Sequence, residues 1–418
     1  YMIADPDSTS RPVLNFQRKC AGMILAGDYW YFQGINFYGA GDNGVLLAGN
    51  NNIFEKCVFE ANRDSGLQIS RYDTTAATKD LWPSNNLIIN CTSHDNCDFP
   101  EQGGTGENAD GFAAKLTCGE GNVFDGCISY SNSDDGWDLF AKVETGSIGA
   151  VTIQNCVAYG NGYLEDGTDA GNGNGFKMGG SSLPGSHVII NSVAFDNKAK
   201  GIDSNSCPDN VVVGCTSFNN ENSNVALYTN DAKNTNYRTN GIISYRNAYV
   251  KVADNLKARG TQDTAKLYDA TDYYWLSASG DAKEASTLLT DANFVTLNTN
   301  DVKVTRNANG TINMNGLGML TADTRKALGV GIGADSLDKA PQLTSEGYAL
   351  VIDALGYDEA NRVLGLSLES AFILRDGAEG ALTGDSNNIA VMVVLLLASM
   401  AVAGGAIVYS KKRKVVSK

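Results

Sequence analysis

Short segments in which apolar and polar residues alternate recur through the first 250 residues of the chain. Six of them begin with a polar residue and a glycine: residues 43–47, 65–69, 110–114, 135–139, 174–178 and 200–204. Alternation with a period of two is typical of a β-strand whose two faces differ. Strands that repeat at intervals of roughly 20 to 50 residues are typical of a solenoid.

A second strand pattern occurs between these segments, at residues 55–59, 89–93, 125–129, 154–158, 190–194 and 213–217. Each copy ends in a turn rich in asparagine, such as residues 60–62 and 159–161, where Asn and Gly tolerate the left-handed backbone of a tight corner. The repeated positions hold β-branched and aromatic residues and show no helical period. We therefore predict an all-β chain folded as a parallel β-helix over residues 1–250. The alternative is an antiparallel sandwich, which would not match residues rung by rung.

The spacing of the matched glycines indicates where loops are inserted. Gly44 and Gly66 are 22 residues apart, close to the length of one bare rung. The interval after Gly66 is 45 residues and the interval after Gly136 is 39. Insertions in repeat folds collect on the binding face. We therefore predict that loops at one corner, residues 72–106 and 163–173, flank the acidic rungs.

Numbering each rung from its glycine places equivalent residues in columns along the axis. The residue after glycine is large and apolar in three rungs (Phe112, Trp137 and Phe176) and is predicted to face the core. The residue after that faces outward, because side chains alternate along a strand. This outward column reads Leu46, Gln68, Ala113, Asp138, Lys177 and Asp203. The column before glycine reads Asn43, Ser65, Asp110, Asp135, Asn174 and Lys200.

The columns bring four carboxylates together: Asp110, Asp134, Asp135 and Asp138. Repulsion between carboxylates this close makes the arrangement costly unless a cation lies among them. Calcium accepts several oxygen ligands in an irregular geometry that magnesium does not tolerate. The cluster therefore predicts either a Ca²⁺ site or a solvated acidic patch.

Lys177 is predicted to lie one rung from Asp138, beside these carboxylates. A divalent cation nearby would lower the pKa of this lysine, because like charges disfavour its protonated form, and a neutral lysine can act as a base. A cation that also bound a substrate carboxylate would acidify the adjacent carbon. The arrangement fits proton abstraction α to a carboxylate. A simple salt bridge from Lys177 to Asp138 and Asp203 is the alternative.

Three motifs, NADGFAAKL (108–116), DDGWDL (134–139) and GNGFKM (173–178), closely resemble in this order the pectate lyases of polysaccharide lyase family 9. The resemblance implies a right-handed parallel β-helix, β-elimination on polygalacturonate and a bound calcium ion. It implies that Lys177 removes the C5 proton of a galacturonate residue. The C4 oxygen would leave, taking its proton from water, and the product would be 4,5-unsaturated. The calcium ligands it implies are Asp110, Asp134, Asp135 and Asp138.

Five further cations are candidates for binding other carboxylates of such a substrate: Arg63, Lys115, Lys142, Lys198 and Lys200. Two other functions remain open. A β-helical polygalacturonan hydrolase would need paired carboxylates, for which Asp134 and Asp135 are candidates, but it has no evident use for Lys177. The Gly-His-Gly and Arg-Ile-Lys motifs of those hydrolases do not occur in the sequence. A non-catalytic surface adhesin could instead use calcium to bind pectin.

Composition narrows these functions further. The net charge of −15 argues against nucleic acid as a partner, since phosphate binding depends on clustered Lys and Arg. The two histidines, His94 and His187, disfavour histidine triads and His-rich zinc sites. The nine cysteines include no Cys-x-x-Cys pair, and five of them share one repeat position. We therefore predict buried free thiols rather than a disulfide framework. Separately, we expect the protein to be a monomer.

The C-terminal sequence predicts a membrane anchor. Residues 389–409 carry no charge and are long enough to span a bilayer, and a basic tail, residues 410–418, follows. The positive-inside rule places the tail in the cytoplasm and the β-helix outside, anchored to the membrane or cell wall. Residues 382–385 (LTGD) resemble the end of a Gram-positive cell-wall sorting signal, although Gly380-Ala381 replaces the Leu-Pro of that motif.

Residues 251–380 lose the repeat. We predict that they form a cap along the solenoid or a spacer to the membrane. Strands are expected near 272–276 and 311–314, and residues 338–364 have a mixed pattern that is compatible with a helix. The chain opens on rung-like sequence at residues 13–16. From this we expect earlier coils and an export signal to precede it.

Overall fold

The computed structural model describes residues 1–99, 104–231, 234–247, 252–276, 283–284, 289–332, 337 and 343–365. Within these ranges, no helix has the length and apolar character needed to cross a membrane. The predicted span at 389–409 and the basic tail at 410–418 lie outside the described residues. The segment Tyr1–Gly365 forms one compact unit.

Strands of two to four residues make up most of the regular structure. In chain order they are β1 (Met2–Ile3), β2 (Val13–Asn15), β3 (Met23–Leu25), β4 (Tyr31–Gln33), β5 (Asn36–Tyr38), β6 (Val45–Leu47), β7 (Ile53–Glu55), β8 (Val58–Glu60), β9 (Leu67–Ile69), β10 (Leu87–Ile89), β11 (Thr92–His94), β12 (Phe112–Ala114), β13 (Asn122–Asp125), β14 (Ile128–Tyr130), β15 (Trp137–Asp138), β16 (Val151–Gln154), β17 (Val157–Tyr159), β18 (Phe176–Lys177), β19 (Val188–Ile190), β20 (Val193–Phe195), β21 (Ile202–Asp203), β22 (Val211–Val213), β23 (Thr216–Phe218), β24 (Val225–Leu227), β25 (Arg238–Asn240), β26 (Ile243–Tyr245), β27 (Asn255–Leu256), β28 (Tyr273–Tyr274), β29 (Lys283–Glu284), β30 (Thr305–Arg306) and β31 (Ile312–Asn313). The described helices are α1 (Thr264–Leu267), α2 (Ala322–Leu328), α3 (Ser345–Leu355) and α4 (Tyr357–Leu364), with 3₁₀ turns at Lys79–Leu81 and Asp291–Asn293.

Every third strand of the coil belongs to the same sheet. Sheet A contains β1 and every third strand up to β25, and sheet C contains β3 and every third strand up to β27. Sheet B runs from β2 in the same way to β26 and continues through β28 and β29. Neighbouring strands within each sheet are parallel, which confirms the parallel β-helix and excludes the antiparallel sandwich for this region. The pair β30 and β31 is antiparallel and lies outside the coil.

The inside of the coil is filled by the residues predicted to face inward. Phe112, Trp137 and Phe176 are completely buried, and their rings follow one another at 5.0 and 4.9 Å between centroids. Burying an aromatic ring of this size contributes about 1.5–3 kcal/mol. The cysteines of the shared position are buried free thiols, as predicted, whereas Cys20 is a free thiol at the surface.

Asparagines at the corner between sheets B and C act through their side chains. The left-handed residue is the one before the asparagine, such as Ser131 with φ 52°. The asparagine itself joins a ladder: the Nδ2 group of Asn96 donates to Oδ1 of Asn132 at 2.8 Å, and Asn132 donates to Asn161 at 3.0 Å. Each rung is thereby tied to the next at the corner that precedes sheet C.

The insertions occur at two corners, so the prediction of a single loop-bearing corner is wrong. The stretch predicted as one loop, residues 72–106, contains β10 and β11. These strands divide it into a loop from sheet C to sheet A, residues 70–86, and a loop from sheet B to sheet C, of which residues 95–99 and 104–111 are described. The predicted loop at 163–173 also lies between sheets B and C. Both B-to-C loops lead directly into the column before glycine.

The coil continues past residue 250, where the sequence repeat is lost, because β27 extends sheet C and β28 extends sheet B. The predicted strands near 272–276 and 311–314 are confirmed, and the mixed segment contains helices α3 and α4. Residues Ile312 and Met314 pack in one apolar cluster with Phe195 on the outside of sheet B. Over this stretch the extension packs against sheet B.

Candidate active site

Sheet C aligns the outward column in the predicted order. Ala113 pairs with Asp138, Asp138 with Lys177, and Lys177 with Asp203. Asp138 and Asp203 are buried, and the Lys177 side chain is 16% exposed. The register prediction is confirmed, and the column is largely covered rather than solvated.

The column before glycine is a hydrogen-bonded ladder. Oδ1 of Asp110 accepts from the backbone N–H of Asp135 at 3.2 Å. Oδ1 of Asp135 in turn accepts from the backbone N–H of Asn174 at 2.8 Å and from its side-chain amide at 2.7 Å. The Ser65 hydroxyl donates to Oδ2 of Asp110 at 3.1 Å. One oxygen of each aspartate is thus fixed by the next rung, so its carboxylate has a set orientation.

Three aspartates and two lysines meet at this point and are called the aspartate cluster below. The carboxylates of Asp110, Asp135 and Asp138 offer oxygens within 4.8 Å of one another. Lys177 Nζ lies 2.8 Å from Oδ2 of Asp135 and 3.5 Å from Oδ2 of Asp138. Lys115 Nζ lies 2.5 Å from Oδ2 of Asp110 and 3.5 Å from Oδ2 of Asp138. The carboxylates that were predicted as one patch are therefore paired from both sides.

Asp134, the fourth predicted carboxylate, lies beside this group but does not share its converging oxygens. It is buried, and its backbone N–H donates to the carbonyl of Ala109 at 3.1 Å. Its Oδ1 has no hydrogen-bond partner among the described residues. Burial, and then the charge of Asp135, raise the pKa of Asp134 well above its usual range.

The electrostatics of the cluster favour protonated groups. Burial raises the pKa of Asp110 to about 7, even though Lys115 acts against this shift. Burial alone would lower the pKa of Lys177, but Asp135 and Asp138 outweigh it and hold that pKa well above its usual range. The expected lowering of the Lys177 pKa is therefore not produced by the protein's own groups. Compensation of the charge of Asp135 and Asp138 would remove the cause of this rise.

The donor set fits a hard divalent cation. Carboxylate oxygens are the ligands such ions prefer, and buried acceptors normally have a partner. Oδ1 of Asp138 and Oδ1 of Asp134 are both buried without a hydrogen-bond partner among the residues that the structure describes. Asp110, Asp135 and Asp138, with Asp134 beside them, could therefore hold Ca²⁺.

The other predicted substrate-binding cations lie apart from the cluster. Lys198 pairs with Asp169 and donates to the carbonyl of Gly171 at 2.6 Å, beside a polar cavity of about 540 Å³. Lys200 donates to Oδ2 of Asp203 at 2.7 Å and contacts the Tyr228 hydroxyl at 3.3 Å. Lys142 is exposed on the loop between sheets C and A, and Arg63 is half-buried. Lys115 is the exception, since it belongs to the cluster.

Two residues of this region were missed by the sequence reasoning. The Phe140 ring centroid lies 5.7 Å from Lys177 Nζ. Asp98 accepts from the side-chain amide of Asn108 at 2.9 Å and from the Ser133 hydroxyl at 3.3 Å, and so ties the loop before Asp110 to the next rung. Both lie in corner segments, where the strand period carries no information. Ser65 and Asn174, by contrast, already stand in the column before glycine.

Comparison with known proteins identifies the family. The family model described as "Pel9A-like, right handed beta helix region" matches residues 1–240, more than half of the chain. The chain belongs to this Pel9A-like family. The predicted right-handed coil and the resemblance to the family 9 pectate lyases are thereby confirmed.

Several pectate lyases are similar to the chain. It is 49% identical over 227 residues to pectate lyase L of Paenibacillus polymyxa (strain SC2), covering 52% of this chain and 49% of that protein. It is 45% identical over 274 residues to pectate lyase L of Thermoclostridium stercorarium, covering 65% of this chain and 21% of that protein. The chain thus spans half or less of the length of these two relatives.

Two solved structures share the fold. The crystal structure of pectate lyase Pel9A has a TM-score of 0.57 and 32% identity, covering 74% of this chain and 70% of that chain. A rhamnogalacturonan lyase has a TM-score of 0.59 at 21% identity, covering 79% of this chain and 81% of that chain, which shows the fold alone.

The raised pKa of Asp110 predicts a pH dependence of stability. Between its ordinary value of 3.8 and about 7, the folded state holds the proton more tightly than the unfolded state. The free energy of unfolding should therefore fall as pH rises through this window. Urea denaturation with chelator present gives the free energy of unfolding at each pH from 4.5 to 7.5. Plotted against pH, this free energy should fall less steeply for Asp110→Asn than for wild type. Equal slopes would contradict the raised pKa.

Proposed function

We propose that this protein is a calcium-dependent pectate lyase that cleaves polygalacturonate by β-elimination. The observation that carries the proposal is the position of Lys177, whose Nζ contacts both Asp135 and Asp138 in the middle of the acidic rungs. A lysine in this position could act as a base once a bound cation compensates the carboxylates around it. The relatives named pectate lyase support the substrate class.

Lys177 is the proposed base. Its free amine takes the C5 proton of a galacturonate residue, the C4–O bond breaks and a double bond forms between C4 and C5. The leaving oxygen takes a proton from water. Asp135 and Asp138 hold Nζ in place from one side, and the ring of Phe140 lies near it. The lysine is thereby fixed for proton transfer instead of moving freely in solvent.

The ion would be held by Asp110, Asp134, Asp135 and Asp138. When bound, calcium neutralises the uronate carboxylate and so acidifies C5. The ladder to the next rung keeps Asp110 and Asp135 oriented toward the cluster, and Oδ1 of Asp138 has no hydrogen-bond partner among the described residues. A bridging cation also explains how a chain with a net charge of −15 could bind a polyanion.

We propose that cations outside the cluster bind carboxylates of neighbouring sugar residues. Lys200 is the best placed, because its rung follows that of Lys177. Its backbone N–H donates to Oδ1 of Asn174 in the Lys177 rung. Lys198 lies at the corner before it. Lys142 and Arg63 would serve more distant residues of the substrate chain.

Replacing the base separates the possible functions. Lys177→Ala should lower kcat on polygalacturonate by about 10²–10⁴-fold while substrate binding persists. Lys200→Ala should instead raise KM and keep kcat. Ultraviolet absorbance of the unsaturated product measures turnover, and chelator should abolish it in wild type.

Other outcomes would identify another function. New reducing ends without the absorbance would indicate a hydrolase. Calcium-dependent binding without turnover in wild type would indicate an adhesin. A Lys177→Ala variant as active as wild type would overturn the assigned base.

Calcium binding should depend on Asp138. Ligand binding raises stability by about 2.7 kcal/mol at a concentration 100 times Kd, so calcium should raise the Tm of wild type. Asp138→Asn removes a charged ligand and should lose most of this shift. Asp203→Asn is a matched control, since Asp203 stands in the same column two rungs away and pairs with Lys200. Equal shifts in Asp138→Asn and wild type would contradict the site.

We further propose that the enzyme acts outside the cell, anchored to the membrane or wall. The uncharged residues 389–409 and the basic tail after them support this. The expressed chain should sediment with membranes and be released by detergent but not by salt. A variant lacking residues 389–418 should remain in the supernatant. Recovery of both proteins in the soluble fraction would contradict an anchor.

A further inference from the structure

We propose that Lys115 is a built-in counter-cation of the aspartate cluster that lowers its affinity for calcium. The inference rests on the proposed function and concerns a residue that has no role in the proposed proton abstraction. On this account Lys115 stabilises the cluster when calcium is scarce and sets the calcium concentration at which the site fills.

Among the described residues, the Lys115 ammonium contacts the aspartate cluster and the loop that precedes Asp110. Nζ lies 2.5 Å from Oδ2 of Asp110, 3.5 Å from Oδ2 of Asp138 and 3.4 Å from the carbonyl of Asn108. The side chain is 12% exposed. These contacts place the ammonium on the cluster, and its contact with a substrate carboxylate stays a prediction.

The backbone around Lys115 is fixed by the rungs on either side. The Ser70 hydroxyl of the preceding rung donates to the Lys115 carbonyl at 2.5 Å. The N–H of Leu116 donates to the carbonyl of Phe140 in the following rung at 2.7 Å. From the end of β12 the side chain reaches back to Asp110, before the start of that strand. The outward residue between them is Ala113, the smallest of the predicted column, and it is completely buried.

The two lysines divide the cluster between them. Lys177 pairs with Asp135 and Lys115 pairs with Asp110, while Oδ2 of Asp138 lies 3.5 Å from both. With Asp134 beside them, the carboxylates of the cluster outnumber the two ammonium groups.

Lys115 and calcium compete for the same oxygens. Asp110 Oδ2 already accepts from Ser65 and Lys115, and its Oδ1 accepts from the next rung. An ion that enters must share or displace the ammonium, and it is repelled by that charge as long as the lysine stays near. Removing the charge should therefore tighten calcium binding while it weakens the protein without calcium.

The test compares Lys115→Met with wild type by calcium titration in a calorimeter and by Tm with and without calcium. The methionine keeps the apolar stem and removes the charge. We expect the Kd for calcium to fall by about tenfold or more, the effect that a like charge within 4–6 Å has on a neighbouring equilibrium. We also expect a lower Tm in chelator and a larger calcium-induced rise. Lys200→Met removes a comparable Lys–Asp pair outside the cluster and should leave the Kd within about twofold.

Each outcome decides between the proposals. Unchanged or weaker calcium binding in Lys115→Met, with normal binding in wild type, would overturn this inference and leave the proposed function intact. Failure of wild type to bind calcium would overturn both. If Lys115→Met is recovered only with calcium, its rate of calcium release to a fluorescent chelator replaces the titration. A release rate equal to or faster than that of wild type would then count against the inference.

Discussion

The structure depends on the in-register stacking of parallel rungs. Backbone hydrogen bonds hold neighbouring strands about 4.8 Å apart, so a residue at one repeat position lies directly beside its counterpart in the next rung. The asparagine ladder at the B-to-C corner reinforces this register, since each amide both donates and accepts along the axis. Columns of identical or complementary side chains follow from this constraint alone, both in the cysteine and aromatic core and in the acidic site.

The same constraint forces buried carboxylates together, which is costly in the absence of compensation. The chain compensates in two ways. Oxygens of Asp110 and Asp135 accept backbone N–H groups of the next rung, and two lysines supply positive charge. Compensation remains incomplete at Asp138 and Asp134, each of which keeps a buried oxygen without a hydrogen-bond partner among the described residues. The site thus combines a fixed geometry with buried carboxylate oxygens that have no partner among the described residues.

The features that could be predicted from the sequence are those set by the two-residue period of the strands, namely which side chains face inward and which lie side by side in neighbouring rungs. The alternation in residues such as Phe112 and Trp137, and the glycine that starts each segment, were enough to place Asp138 beside Lys177. The period says nothing about corners, so the second loop-bearing corner and the position of Phe140 were missed. It also says nothing about long side chains that fold back along a strand, so the pairing of Lys115 with Asp110 was not predicted. Much of the extension after residue 250 packs against the coil through irregular contacts. Because these contacts do not repeat, they produce no periodic pattern in the sequence.

That extension affects the order in which the molecule can fold. Contacts between rungs join residues a few tens of positions apart, so the coil can grow by adding one rung to the last, as in other repeat proteins. The guanidinium of Arg306, however, donates to the carbonyl of Cys91, 215 residues earlier, and to that of Gly126. Closing so long a loop is slow in comparison with local pairing. We therefore expect the Arg306 contacts to form late, after the rungs that contain Cys91 and Gly126 are complete, and to couple the unfolding of the extension to that of the coil.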